Sequence, residues 1–187
     1  MCDQHYDEDL NDYLRRTGMT RRRFGALGMA MGLMAVLPRA ANALDVSESG
    51  VEVRTPDGAA DCYFVHPASG AHAGVLIWPD ILGLRPAFRR MARRLAESGY
   101  AVLVVNPYYR RQRAPVIPDG ATYAEQSTRD IVMPLYQSLD ARTHVTDAKA
   151  FVAWLDDQPA VDRKRKVGTM GYCMGGRLAF QCAAWGE

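Results

Sequence analysis

The stretch VGTMGYCMGG, from Val167 to Gly176, sets one cysteine between glycines, and an apolar run, RLAFQCAAW, follows it from Arg177. A short apolar segment that passes through Gly-x-Cys-x-Gly into such a run reads as strand, tight turn and helix. Glycine is needed on both sides of the turn because a Cβ there would collide with the neighbouring strand or helix. The residue at the apex, Cys173, then projects from the carboxyl end of the sheet, where open α/β sheets carry their sites. It also stands at a helix N-terminus, whose dipole and unpaired N–H groups favour a thiolate. The backbone N–H of Met174 would be one oxyanion donor, and such a donor contributes about 3 kcal/mol to a transition state. The same pentapeptide could instead be a buried cysteine at a strand-to-helix junction.

Outward from the turn, strand and helix signals alternate. GVLIW (Gly74–Trp78) and YAVLVV (Tyr100–Val105) are continuous apolar runs, suited to strands buried on both faces, and KVGTMGY (Lys166–Tyr172) is a third. Between the first two, RPAFRRMARRLAESG places Phe88, Met91, Ala92 and Leu95 on one helical stripe, and Gly99 ends it. The prolines of YYRRQRAPVIPDGATYAEQ, after the second strand, predict a loop. A helix is expected from about Asp140 to Asp157, with Val145, Ala148, Val152 and Leu155 inward. Upstream, VEVRTP and AADCYFVHP flank Asp57-Gly58, a hairpin signal. Together these predict an α/β fold: a mostly parallel sheet with helices on both faces, opened by a β-hairpin. Cys62, alternating within a strand, and Cys182, on the last helix near Leu178, Ala179 and Trp185, read as core residues.

The first 43 residues read as an address. TRRRF (Thr20–Phe24) resembles a twin-arginine export motif, a Gly/Ala/Met/Leu stretch runs to Leu37, and Ala41-Asn42-Ala43 is an A-x-A cleavage site. The apolar stretch falls short of the roughly 20 residues that span a bilayer. A cleaved signal and an exported protein without a membrane span are therefore expected; an uncleaved N-terminal anchor is the other reading. The chain's net charge is only +2, and the part after Ala43 is nearly neutral, which excludes an electrostatic nucleic-acid binder. Of four cysteines, Cys2 would leave with the signal. The remaining Cys62, Cys173 and Cys182 are expected as free thiols, because twin-arginine substrates fold in a reducing compartment.

From about Gly74 to Trp185 the chain resembles the dienelactone hydrolase family of α/β-hydrolases. The resemblance rests on GVLIWPDILGL, LAESGYAVLVVNPYYR, DAKAFVAWLDDQPAVDRKRKVGTMGYCMGG and RLAF, in the family's order and spacing. It implies an α/β-hydrolase-like fold, a Cys-His-Asp triad, no metal or organic cofactor, and a small ester or lactone as substrate. By that resemblance Cys173 is the nucleophile, and the loop after the first buried strand supplies a second oxyanion N–H, that of Ile81. Asp80 takes the place of a carboxylate, commonly Glu, that contacts the resting thiol. Arg110 matches an arginine that holds a substrate carboxylate, which suits a guanidinium fork and would make the substrate anionic. Tyr108 and Tyr109 either wall an aromatic pocket or cover the sheet edge.

The resemblance also implies a carboxylate and then a histidine after the nucleophile. No histidine follows Cys173 here, and the one later carboxylate is Glu187. His5 belongs to the signal, and His66, His72 and His144 read as surface residues. The expectation is a fragment whose C-terminal strands are missing, which would leave KVGTM as an apolar sheet edge. Two alternatives remain: a decayed or binding-only hydrolase fold, and a glutamine amidotransferase-like cysteine enzyme, in which WPDILGL and NPYYR have no place.

Overall fold

The hairpin forms β1 (Val46–Thr55) and β2 (Gly58–Pro67), which pair antiparallel around Pro56-Asp57, with Cys62, Tyr63, Phe64 and Val65 of β2 buried on both faces. Gly58 takes φ +138°, which the tight turn requires. The buried runs become β3 (Ala73–Trp78) and β4 (Tyr100–Val105), and the short strand before the cysteine is β5 (Gly168–Gly171). The computed structural model describes residues 43–184. The twin arginines, the apolar stretch, Cys2, His5, Trp185 and Glu187 thus lie outside the described residues. The sheet order is β1-β2-β4-β3-β5. β3 runs parallel to both β4 and β5, whereas β2 joins β4 antiparallel. The expected parallel sheet is therefore the β4-β3-β5 half, and the hairpin extends it into a mixed sheet.

Helices cover both faces. On one face α1 (Pro86–Glu97) packs Phe88, Ala92 and Ala96 against Val65, Val75, Ile77 and Val102. It starts with a proline in its first turn, where no N–H is needed, and stops at Gly99 with φ +96°. The opposite face carries α2 (Gln126–Gln137), α3 (Ala141–Asp156) and α4 (Met174–Ala184). Their buried residues, among them Val132, Phe151, Leu155 and Leu178, meet Cys62, Phe64, Leu76 and Leu103. The sequence reading missed α2. Its buried stripe is only Thr128, Val132 and Leu135, and Pro134 interrupts it.

Two expectations need correction. The inward face of α3 is rotated: His144, Asp147, Ala148, Phe151 and Leu155 are buried, while Val145 and Val152 border a groove of about 320 Å³ beside Cys182. Polar residues can face inward there because each finds a partner. His144, expected at the surface, packs edge-on against Trp78 at 4.4 Å and bonds through Nε2 to the Leu178 carbonyl at 2.9 Å. Burial pushes its pKa below the ordinary 6.5; the Leu178 carbonyl and Asp147 oppose the shift, and Arg177 adds to it. The second correction concerns β5, read as a strand buried on both faces; the other expectation, that it forms a sheet edge, is what the described residues show. It pairs only with β3 among the described residues, and its residues are exposed or half-buried, not enclosed. No helix among the described residues is long and apolar enough to cross a membrane.

Candidate active site

β5 delivers the chain into the turn and α4 carries it away. An added Cβ at Gly171 would overlap the Gly175 carbonyl, and one at Gly175 would overlap the carbonyl oxygens of Trp78 and Pro79. Both glycines are thus demanded by close approach, one to the helix and the other to the end of β3. Tyr172 N–H donates to the Trp78 carbonyl at 3.3 Å, tying the turn to the neighbouring strand. Cys173 at the apex has φ +52°, alone among the described non-glycine residues in taking a positive φ. Such a backbone costs on the order of 1 kcal/mol and persists only where the surroundings impose it. Cys173 is exposed. The other two cysteines differ: Cys62 is enclosed in β2 with its thiol directed at the Ala60 carbonyl, and Cys182 is half-buried. Burial pushes both of their pKa values up.

The loop after β3 turns back on itself at Asp80–Gly83, with Gly83 at φ +74° donating to the Asp80 carbonyl at 2.9 Å. Asp80 does not serve the thiol as expected. Its oxygens lie 2.6 and 2.8 Å from the Arg85 guanidinium, and Oδ1 also accepts from Leu82 N–H at 3.0 Å. An adjacent guanidinium outcompetes a thiol for a carboxylate, and the shorter side chain keeps Asp80 within its own loop. Among the described residues neither the Ile81 N–H nor the Met174 N–H has an acceptor.

Tyr108 is neither a pocket wall nor an edge cover. It is 1% exposed, and its hydroxyl lies 2.9 Å from the Ile81 carbonyl and 3.3 Å from the Met174 sulfur. Arg110 is also placed otherwise than expected. Its guanidinium bridges Asp57 in the hairpin turn and Asp147 on α3, at 2.6 to 3.0 Å, and lies over the Tyr109 ring. Tyr109 completes the cluster by bonding Thr55 at 2.6 Å and Asp147 at 2.8 Å. Two residues of this region escaped the sequence reading. Asp147 is buried, and Asn106, wholly buried, donates to Asp61 and the Gln112 carbonyl and accepts from Tyr108 N–H. An asparagine directly after a buried strand was the signal available for the second.

No histidine among the described residues reaches the thiol. His72 precedes β3, and His66 lies one residue beyond the Val65–Val102 pair, so both sit at the end of the sheet where β3 and β4 begin. Cys173 sits at the other end, a strand length of ~20 Å away. His144 is at the correct end but bonds the Leu178 carbonyl inside the core.

A mixed sheet flanked by helices, with a glycine-framed cysteine turn after the edge strand, defines an α/β-hydrolase-like protein. The family follows from comparison: residues 60–187 match the model of the dienelactone hydrolase family, and the chain belongs to it. It is 30% identical over 139 residues to a carboxymethylenebutenolidase of Pseudomonas putida, covering 73% of this chain and 56% of that protein. With the carboxymethylenebutenolidase of Rhodococcus opacus it shares 29% identity over 133 residues, 70% of this chain and 46% of the other. Among solved structures it resembles a dienelactone hydrolase-like promiscuous phosphotriesterase from metagenomic libraries. That match has a TM-score of 0.57 at 25% identity, covering 74% of this chain and 54% of that one. The chain thus spans about half the length of these relatives.

Proposed function

We propose that this chain carries the nucleophile and oxyanion hole of an enzyme that hydrolyses a small ester or lactone. The Cys173 thiolate attacks the carbonyl carbon, and the N–H groups of Ile81 and Met174 hold the oxygen as it becomes negative. Collapse of the tetrahedral adduct breaks the bond to the alkoxy oxygen, which leaves with a proton from a histidine. Water, deprotonated by that histidine, then cleaves the thioester to the acid and restores the thiol. The histidine and its carboxylate partner belong, in this reading, to sequence following Glu187. Arg110, already held by two carboxylates, is not assigned to the substrate. Residues 1–43 are proposed as an export signal, which N-terminal sequencing of the secreted protein tests.

The observation that carries the reading is the exposed Cys173, held at positive φ at a helix start; the Met174 N–H that follows it and the Ile81 N–H of the loop after β3 have no acceptor among the described residues. Family membership supports ester or lactone chemistry. The test is acylation of the full chain by p-nitrophenyl acetate, followed by peptide mass mapping. Cys173 should acylate in preference to Cys62 and Cys182, and Cys173→Ala should abolish the burst. An unchanged burst in that variant overturns the assignment.

A second reading is favoured by the absence of a nearby histidine among the described residues: a hydrolase fold that binds without turning over. Extending the coding sequence past Glu187 separates the two. A continuation with an aspartate and then a histidine supports the enzyme, and one lacking histidine supports the binding protein.

A further inference from the structure

We propose that the Tyr108 hydroxyl is the positioning group of the oxyanion hole, holding both residues that form it. This rests on the assignment of Cys173 as nucleophile and of Ile81 and Met174 as donors.

The two donors come from distant parts of the chain, one from the loop after β3 and the other from the first residue of α4. An oxyanion hole works only if its donors are fixed relative to one another before the reaction, since reorganisation during it forfeits the stabilisation. The Tyr108 oxygen lies 2.9 Å from the Ile81 carbonyl and 3.3 Å from the Met174 sulfur, so one hydroxyl spans the junction. Its single proton goes chiefly to the carbonyl, the stronger acceptor, with the thioether as the weaker one.

The peptide between Ile81 and Leu82 is thereby held from both sides. Its carbonyl accepts from Tyr108, and its N–H donates to Asp80 Oδ1 at 3.0 Å. The preceding peptide, which carries the Ile81 N–H, is held through its own carbonyl, that of Asp80, which accepts from Gly83 N–H at 2.9 Å. Asp80 is fixed in turn by Arg85, so the loop carries its own brace.

Tyr108 is well suited to the task. It is 1% exposed, its backbone N–H donates to the wholly buried Asn106 at 3.0 Å, and its ring lies under the Gly83 turn. Burial first, then the charges of Asp80, Tyr136 and Cys173, push its pKa up, so the hydroxyl stays a proton donor.

The test uses two reactions of the same thiol in the full chain. Acylation by p-nitrophenyl acetate passes through an oxyanion; alkylation by iodoacetamide does not. Tyr108→Phe should slow acylation of Cys173 about 10-fold, in keeping with the cost of misplacing a donor, and leave alkylation within about 2-fold. Equal loss of both rates, or no loss of acylation, overturns the proposal. If Tyr108→Phe does not fold, Met174→Leu carries the test, since it keeps the volume and removes the sulfur. A fall of about 3-fold in acylation alone supports the proposal, and no fall overturns it. Wild-type protein that acylates no faster than Cys173→Ala removes the underlying assignment as well, a failure visible without any Tyr108 variant.

Discussion

The turn at Cys173 and the cluster at Arg110 use similar materials and reach opposite states. Both join separate segments, both contain groups suited to chemistry, and both lie beyond the carboxyl ends of parallel strands. At Arg110 the polar atoms are matched: the guanidinium holds Asp57 and Asp147, and Tyr109 holds Thr55 and Asp147. At the turn Cys173 is exposed, and the N–H groups of Met174 and of Ile81 in the loop after β3 have no acceptor among the described residues. A matched cluster stabilises a fold; an unmatched one is available to a ligand. Residue type does not distinguish the two, and partner accounting does.

The comparison breaks most severely at the turn's glycines. Gly175→Ala should cost about 4 kcal/mol or more, or prevent folding, because backbone carbonyls of β3 cannot retreat from the new methyl. Urea denaturation measures this. An alanine tolerated within about 1 kcal/mol would mean that the turn is not held as tightly as its contacts require.

The thiols sharpen the contrast next. Under native conditions Cys173 should react with iodoacetamide at least about 100-fold faster than Cys62, with Cys182 between them. Burial raises the pKa of both slower thiols and limits access to them. Mass mapping over a time course reads the order, and comparable rates would erase the distinction.

A smaller effect is expected at the clamp. Asp147→Asn removes one carboxylate from Arg110 and should cost about 2 kcal/mol, below the value for a fully buried pair because Arg110 remains partly exposed. Cys173 alkylation should stay unchanged. A parallel fall in that rate would show that the two regions are coupled.

The smallest effect is at His144. Its folded pKa is depressed, so the unfolded chain binds a proton near pH 6.5 that the folded chain refuses. Stability is full above that pH and declines as pH falls below it, by at most about 1.4 kcal/mol per unit, until the folded ring protonates. His144→Gln, which keeps a donor for the Leu178 carbonyl, should flatten the slope between pH 6.5 and 5.5. An unchanged slope would place the pH dependence elsewhere.

Much of the scaffold was legible because the central strands β3 and β4 are continuous apolar runs. Ala73–Trp78 is buried throughout, as a strand covered on both faces must be. The hairpin, α1 and the turn at Cys173 followed from the Asp57-Gly58 turn signal, a 3.6-residue stripe and glycine spacing. α3 showed the limit. Its own pattern favoured Val145 and Val152, but His144 and Asp147 turned inward because Leu178, Tyr109 and Arg110 offered them partners. Those partners lie 34 to 38 positions away in the chain, and no local window contains them. Asp80 and Arg110 illustrate the same point at the site. Family position suggested a thiol contact and a substrate fork, and neighbours five and 37 positions away engaged both groups instead.

By itself the sequence determined the strands, α1, α3 and α4, though not α2, and where the sharp turn at Cys173 falls, because these depend on short-range sterics and periodicity. Only the tertiary structure decided which polar groups are occupied, how α3 is rotated, and that one phenol touches both Ile81 and Met174. Those outcomes depend on long-range pairing, in which each group takes the best partner that the folded chain brings near.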